Sequence, residues 1–131
     1  MSFKLLVTER IDLNAINVLN KNRVQLLQPY LEDEKIDLLE FIKKNQVDGI
    51  IVRGEKLDKK IIKASKNLKV IIKHGVGYNN IDIEAAKKLK ILLLYTPYTN
   101  TESVAEFTIG LIYLCYKKYM EYNNILKSNK I

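Results

Sequence analysis

The chain has 131 residues, with 22 lysines and arginines against 15 aspartates and glutamates, and a formal net charge of +7. Apolar residues make up 47% and charged residues 28%, a balance that excludes an intrinsically disordered chain and fits one globular domain. The single cysteine, Cys115, excludes an internal disulfide and is typical of a reducing compartment. Because no apolar run approaches the roughly 20 residues of a membrane-spanning helix, we expect a cytoplasmic protein with no membrane partner.

Short apolar runs alternate with amphipathic segments along the chain. The runs rich in isoleucine, valine and leucine predict five β-strands, at residues 4–8, 24–27, 49–53, 68–73 and 91–95. Apolar residues spaced by three and four predict helices between them, at residues 12–20, 32–45, 58–65 and 82–89, with Asp58 and Asp82 as caps. Since the strands lack polar alternation, helices should cover both faces. This pattern predicts an α/β protein with a doubly wound parallel sheet of five strands.

A long final helix is predicted after the fifth strand. Thr99 and Ser103 are each followed three residues later by a glutamate, which provides two overlapping capping boxes. Between residues 104 and 120, apolar side chains occur on every side of the helix, whereas packing on one sheet requires only one apolar face. We therefore expect a second domain or a second copy of the chain to cover this helix, with a homodimer through the helix as the expected assembly.

The residues that follow the strands are the candidates for ligand binding, because ligands of doubly wound sheets bind beyond the carboxyl ends of the strands. Residues 75–77, Gly-Val-Gly, form either a tight turn that needs positive φ or a nest of N–H groups for an anion. Arg53 and Lys73 each end a strand at this edge, and two cations beside such a nest suit a substrate with a carboxylate and a phosphate. Alternatively, they reach solvent or pair with Glu55 or Asp82.

Other chemistries have less support in the sequence. His74 is the only histidine, and no spacing of cysteine, histidine and carboxylates predicts a metal site, so we interpret His74 as a core or rim residue. Cys115 is interpreted as a packed apolar residue rather than a nucleophile. Residues 59–90 contain nine lysines, but these fall at helix-surface spacing with Tyr78 as the only interleaved aromatic. We interpret them as a solvated face and expect no nucleic-acid partner.

Three segments of the sequence match one family as a set. Residues 52–54 read Val-Arg-Gly, residues 73–82 read Lys-His-Gly-Val-Gly-Tyr-Asn-Asn-Ile-Asp, and residues 100–106, after Pro97, read Asn-Thr-Glu-Ser-Val-Ala-Glu. In this order and spacing they resemble the D-isomer-specific 2-hydroxyacid dehydrogenases, in particular the amino-terminal part of the phosphoglycerate members. The resemblance implies a flavodoxin-like substrate-binding domain at residues 1–99. It also implies a hinge helix at residues 100–131, leading to a nucleotide-binding domain that is absent from this chain.

The resemblance further implies roles for individual residues. In the matching positions, backbone groups hold the substrate carboxylate and two cations bind a substrate phosphate; the residues implied are Arg53, Lys73, Gly75, Val76 and Gly77. Val76 and Thr108 match positions that contact the nicotinamide of NAD, the cofactor of the complete enzyme. The family's catalytic arginine, glutamate and histidine lie downstream of residue 131. The resemblance therefore implies no catalytic residue and no metal ligand in this chain, and we predict that the chain by itself is inactive.

Two functions from different classes follow from this sequence. The first is the N-terminal substrate-binding portion of an NAD-dependent D-2-hydroxyacid dehydrogenase, an oxidoreductase for CH–OH donors, with D-3-phosphoglycerate as the expected small anionic hydroxyacid substrate. The alternative is a stand-alone flavodoxin-like module that binds or senses a small anion without catalysis. A phosphoacceptor receiver domain would need an aspartate where Arg53 stands, which argues against that version of the alternative. Departures from the family pattern at Gly54, His74 and Asn79 leave the substrate open.

Overall fold

The computed structural model describes residues 2–31 and 36–128. The chain forms two compact units, Met1–Pro97 and Tyr98–Ile131. The first unit contains five strands: β1 Phe3–Val7, β2 Val24–Leu27, β3 Gly49–Val52, β4 Val70–Lys73 and β5 Leu92–Tyr95. They form one sheet in the order β2-β1-β3-β4-β5, and every neighbouring pair is parallel. The predicted α/β class and the five-stranded parallel sheet are therefore confirmed.

Aspartate residues cap the helices of the first unit. The helices are α1 Leu13–Lys21, α2 Leu38–Asn45, α3 Lys59–Ile62 and α4 Ile83–Lys88, and a short 3₁₀ turn at Pro29–Leu31 follows β2. Each carboxylate accepts a backbone N–H of the first turn, which would otherwise lack a partner; the caps are Asp12, Asp37, Asp58 and Asp82. The predicted caps at Asp58 and Asp82 are confirmed. The caps therefore fix the residue at which each helix begins.

Two of these helices are shorter than the sequence predicts. α2 begins at Leu38, and residues 32–35, the predicted start, lie outside the described residues. α3 ends at Ile62, whereas the prediction extended to residue 65. The Ser65 hydroxyl donates to the carbonyl oxygen of Val47 at 2.7 Å, and this long-range hydrogen bond holds the segment after α3 outside the helix.

The main apolar core lies between the sheet and the helices α2, α3 and α4. Leu6, Ile50 and Ile71 of the sheet pack with Ile42 and Ile62 of the helices, and all five side chains are fully buried. Burial of each such side chain contributes about 1.5–3 kcal/mol. This core holds the carboxyl ends of β1, β3 and β4 at one edge of the sheet.

Within the first unit, the opposite face of the sheet is covered in part by α1. A groove of about 590 Å³ lies between α1 and the side chains of Ile51 and Ile72. On β5, Leu92 and Leu94 are 56% and 44% exposed, while Leu93 packs against the core. The prediction of strands buried on both faces therefore fails for β5, because only the face that carries Leu93 packs against the core.

The Asp48 carboxylate joins the starts of three strands. One oxygen accepts a hydrogen bond from Nζ of Lys69 at 2.8 Å, and the other accepts from the backbone N–H of Lys4 at 3.0 Å. These bonds, led by the one from Lys69, lower the pKa of Asp48 below its ordinary value of 3.8. A carboxyl group with a lowered folded-state pKa stabilises the fold above its unfolded-state pKa, and this contribution is lost as the pH falls through the folded-state pKa.

We expect Asp48→Asn to lower the free energy of unfolding by about 1 kcal/mol at neutral pH. Urea unfolding of both proteins across the acid range measures the effect. As the pH falls below about 4, the wild-type free energy of unfolding should decrease more steeply than that of the variant. Glu40→Gln, which removes an exposed pair with Lys43, is the matched control and should change little. Equal acid slopes for wild type and Asp48→Asn would contradict this prediction.

The second unit contains two helices, α5 Thr101–Tyr116 and α6 Tyr119–Ser128. The predicted long final helix is present as α5, but its predicted extension beyond residue 118 is wrong, because the backbone at Lys118 is left-handed, with φ of +50°, and ends it. Both predicted capping boxes are also wrong, since Asn100 occupies the N-cap position and makes no side-chain capping bond. The apolar perimeter is present: Phe107 and Ile112 are 69% and 62% exposed. In the described ranges of the chain, no helix is long and apolar enough to cross a membrane.

Candidate functional site

The predicted site residues of the first unit lie at the carboxyl edge of the sheet. β1 and β3 are neighbours in the sheet. The strand order changes direction between them, since β2 lies beyond β1 and β4 lies beyond β3. Doubly wound sheets bind ligands at such a switch point. In the register of β3 and β4, Val52 pairs with Lys73. Arg53 and His74 therefore leave neighbouring strands at the same level, about 4.8 Å apart. The loops after β3 and β4 thus begin side by side.

The turn at residues 75–77 combines both interpretations that the sequence allowed. Gly75 has φ of +138°, a conformation that favours glycine, and its N–H donates to the hydroxyl of Thr96 at 2.9 Å. By contrast, the backbone N–H groups of Val76 and Gly77 make no hydrogen bond to any residue that the structure describes. An ideal Cβ at Gly77 would meet no atom within 4 Å, so the backbone there is open to a ligand. Two of the three predicted N–H groups are therefore available to an anion.

Arg53 is an accessible cation at this edge of the sheet. Its side chain is 65% exposed, and Nη1 lies 3.5 Å from an Oε2 atom of Glu9. The other oxygen of Glu9 accepts the backbone N–H of Gly54 at 3.0 Å. The sequence suggested Glu55 or Asp82 as partners, but the partner is Glu9, which follows β1. A long, exposed ion pair of this kind contributes little free energy, so a substrate anion can compete for the guanidinium.

Lys73 is buried, in contrast to Arg53. Only 7% of the residue is exposed, and Nζ donates to the backbone carbonyl of Arg53 and to Oδ1 of Asn80, the latter at 3.1 Å. Two of its three N–H groups are therefore used inside the protein. Sequence reasoning missed Asn80 and assigned it no role in the site. The spacing of Lys73 and Asn80 in the sequence does not predict their contact. One of the two acceptors of Lys73 is a backbone carbonyl, which any residue type could provide.

The remaining predicted residues lie apart from the free N–H groups or in the second unit. His74 is exposed and lines the groove beside α1, where its backbone N–H donates to the carbonyl oxygen of Val52. Thr108 lies in α5, and its hydroxyl donates to the carbonyl oxygen of Val104 at 2.7 Å. Cys115 is exposed, so the expectation of a packed apolar residue is wrong for it. Among residues 2–31 and 36–128, no group of three or more potential metal ligands is present.

Two tyrosines beside the glycine turn were also missed. The rings of Tyr78 and Tyr95 meet edge to face, with centroids 5.7 Å apart and an interplanar angle of 67°. Both side chains are about half exposed. The pairing of Lys73 with Tyr95 in the β4–β5 register brings these residues together, and that register could not be read from the sequence. This pair supports the turn that carries the free N–H groups.

The fold and the site define a class: a doubly wound α/β domain with a glycine turn at the carboxyl edge of its sheet, in which two backbone N–H groups make no hydrogen bond to the described residues. Residues 5–125 match the model of the D-isomer specific 2-hydroxyacid dehydrogenase catalytic domain. The chain therefore belongs to the D-2-hydroxyacid dehydrogenase family, and the resemblance seen in the sequence is confirmed.

Individual relatives include enzymes with two different names. The chain is 35% identical over 130 residues to a hydroxypyruvate reductase of Thermotoga maritima, covering 98% of this chain and 41% of that protein. It is 34% identical over 128 residues to a D-3-phosphoglycerate dehydrogenase of Archaeoglobus fulgidus, covering 97% of this chain and 24% of that protein. An NAD+-bound 3-phosphoglycerate dehydrogenase of Entamoeba histolytica superimposes with a TM-score of 0.68 and 36% identity, over 87% of this chain and 39% of that one. The chain thus spans less than half the length of each of these relatives.

Proposed function

We propose that this chain is the N-terminal substrate-binding portion of an NAD-dependent D-2-hydroxyacid dehydrogenase whose substrate is D-3-phosphoglycerate. The observation that carries this proposal is the pair of free backbone N–H groups at Val76 and Gly77 beside the accessible guanidinium of Arg53. The N–H groups bind the substrate carboxylate, and Arg53 binds the phosphate. The names of the Archaeoglobus and Entamoeba relatives support this substrate class.

The residues of this chain bind and orient the substrate in this proposal. The buried ammonium of Lys73 has no carboxylate partner among the described residues, so its positive charge adds to the attraction for an anion at this edge. Val76 presents a side chain that is 42% exposed, which suits contact with a nicotinamide ring, and Thr108 is the second proposed contact. When bound, NAD supplies the hydride acceptor. No residue of this chain is proposed to move the proton, and the chain alone is expected not to turn over substrate.

We also propose the domain arrangement and assembly that the family resemblance implies. Residues 1–99 form the substrate-binding portion, and residues 100–131 form a hinge that continues to a nucleotide-binding domain. α5 exposes apolar side chains on several sides, including Phe107 and Ile109, and such a surface favours association. The expected assembly is a homodimer through α5 in the cytoplasm.

An NMR titration of the isotopically labelled chain tests the proposed substrate site. D-3-phosphoglycerate should shift the amide resonances of Val76 and Gly77 most strongly. Arg53→Gln should weaken D-3-phosphoglycerate binding by about tenfold because it removes a charge-assisted bond to the phosphate. Binding of D-glycerate, which has the carboxylate but no phosphate, should be unchanged by this substitution.

Arg10→Gln is the matched control, since Arg10 is an exposed arginine that follows β1 at the same edge. It should leave the binding of both ligands unchanged. Shifts confined to other loops, or an Arg10→Gln effect as large as that of Arg53→Gln, would overturn the proposed site. Binding with this pattern but no turnover after extension of the chain by a nucleotide-binding domain would favour the stand-alone anion-binding module instead.

A further inference from the structure

The loop after β3 is held by side chains from the segment after β4. Asn80 donates through Nδ2 to the carbonyl oxygen of Glu55 at 2.6 Å and to that of Arg53 at 3.3 Å. Lys73 donates to the same carbonyl of Arg53 and to Oδ1 of Asn80. The carbonyl of Arg53 therefore accepts from both side chains, and Lys73 and Asn80 also bond to each other. The three residues form a closed hydrogen-bonded ring.

Backbone hydrogen bonds extend the same connection. Leu57 N–H donates to the carbonyl oxygen of Asn80 at 2.8 Å, and Asp82 N–H donates to the carbonyl oxygen of Leu57 at 2.9 Å. Leu57 and Ile81 form a parallel bridge, and both side chains are buried in the core. The far ends of the two loops are thus fixed to each other, and the near ends are fixed by β3 and β4. Between these anchors, Lys73 and Asn80 set the course of residues 53–55.

A charged side chain such as that of Lys73 is unusual at a position whose role is only to stabilise the fold. A buried ammonium without a carboxylate partner is costly, and an apolar side chain of similar size often stabilises a core equally well. Lys73 has no ion pair among the described residues, and its two acceptors there, the Arg53 carbonyl and Asn80 Oδ1, are neutral. The hydrogen bonds hold this charge next to the backbone carbonyl of Arg53. A loop that must present a cation next to an anion-binding turn gains from such an arrangement.

We propose that Lys73 and Asn80 form a positioning pair that fixes Arg53 relative to the free N–H groups of Val76 and Gly77. The pair selects substrates that carry anionic groups at both ends, because only these need Arg53 and the glycine turn at a set separation. Asn80 acts through Arg53 and does not contact the substrate. This inference rests on the proposed function, since it concerns the same substrate site.

The test compares a ligand with two anionic ends and a ligand with one. Asn80→Ala should weaken binding of D-3-phosphoglycerate by about tenfold, since it removes two hydrogen bonds that order the Arg53 loop. It should change the dissociation constant for D-glycerate by less than about twofold, because the N–H groups of Val76 and Gly77 remain. In the Arg53→Gln background, Asn80→Ala should cause no further loss, since a positioning residue acts only through the group it positions. The amide spectrum of each variant verifies that it is folded.

Asn79→Ala is the matched control, because Asn79 is exposed and makes no hydrogen bond with another described residue. Asn80→Asp is the second variant, which retains an acceptor for Lys73 but loses both donors to the loop, and it should reproduce the selective loss. Equal losses for both ligands, no loss for either, or additive losses with Arg53→Gln would overturn the positioning role alone. A wild-type chain that binds neither ligand would overturn the proposed function, and the positioning role with it.

Discussion

Gly49→Val is expected to reduce the free energy of unfolding by about 3 kcal/mol, a large part of the stability of a domain of this size. Gly49 begins β3, in the middle of the sheet, and an ideal Cβ there would lie 3.0 Å from Leu5 Cδ1, 3.0 Å from Phe3 Cε1 and 3.1 Å from Val70 Cγ1. The γ-methyl groups of valine would extend further into the same side chains. Urea or thermal unfolding measures the change.

Gly110→Ala is the control for this prediction. It adds a side chain in α5, where an ideal Cβ meets no atom within 4 Å. The helix should gain up to about 1 kcal/mol of local stability from the better helix propensity of alanine. Unfolding of the first unit should not change. A Gly49→Val protein with wild-type stability would show that the contacts at the start of β3 are looser than these distances indicate.

Replacing both Phe107 and Ile109 by glutamate is expected to abolish the proposed homodimer. These residues are 69% and 55% exposed and lie on different sides of α5, so the pair of substitutions disrupts the apolar surface whichever side is buried. A charge buried in an interface or a lost aromatic contact costs about 2 kcal/mol or more, so burial of either side of α5 should raise the dimer dissociation constant at least about 30-fold. Sedimentation equilibrium measures it.

The matched control for α5 changes two of its polar residues, Glu102→Gln with Glu106→Gln. Glutamine preserves helix propensity and size, so the dissociation constant should stay within a few-fold of the wild-type value. A wild-type chain that sediments as a monomer at all accessible concentrations would refute the dimer. A dimer that survives the two glutamates with unchanged affinity would place the interface elsewhere.

The sheet could be predicted because its signals are local. Uninterrupted runs such as residues 49–53 can be buried on two faces only in a parallel sheet with crossover helices, and an aspartate before an apolar period, as at Asp58, marks a helix start. The errors arise where distant contacts compete with local preference. Ser65 bonds to Val47 and ends α3 early, and the left-handed backbone at Lys118 divides the final helix. Neither event has a sequence signature within a few residues.

The sequence predicts where the candidate site lies, but not the hydrogen bonds that its side chains make with one another. The glycine turn followed from its sequence, and the structure divides its two possible roles between Gly75, which supplies the conformation, and the next two residues, which supply N–H groups. Lys73 was predicted as a second ligand cation, and its buried position is set by acceptors on Arg53 and Asn80. A backbone carbonyl can belong to any residue type, so such a bond leaves no mark on composition or spacing.

None of the described residues in α5 or α6 is buried, although α5 has 16 residues and a largely apolar composition. A helix of this length is only marginally stable in water without tertiary packing, and its exposed side chains provide no core to supply that packing. We therefore expect the partner surface proposed for α5 to supply the free energy that keeps these helices ordered. We expect the folding of this segment to be coupled to association, so that its helicity in solution follows protein concentration or the presence of a neighbouring domain rather than the stability of the sheet.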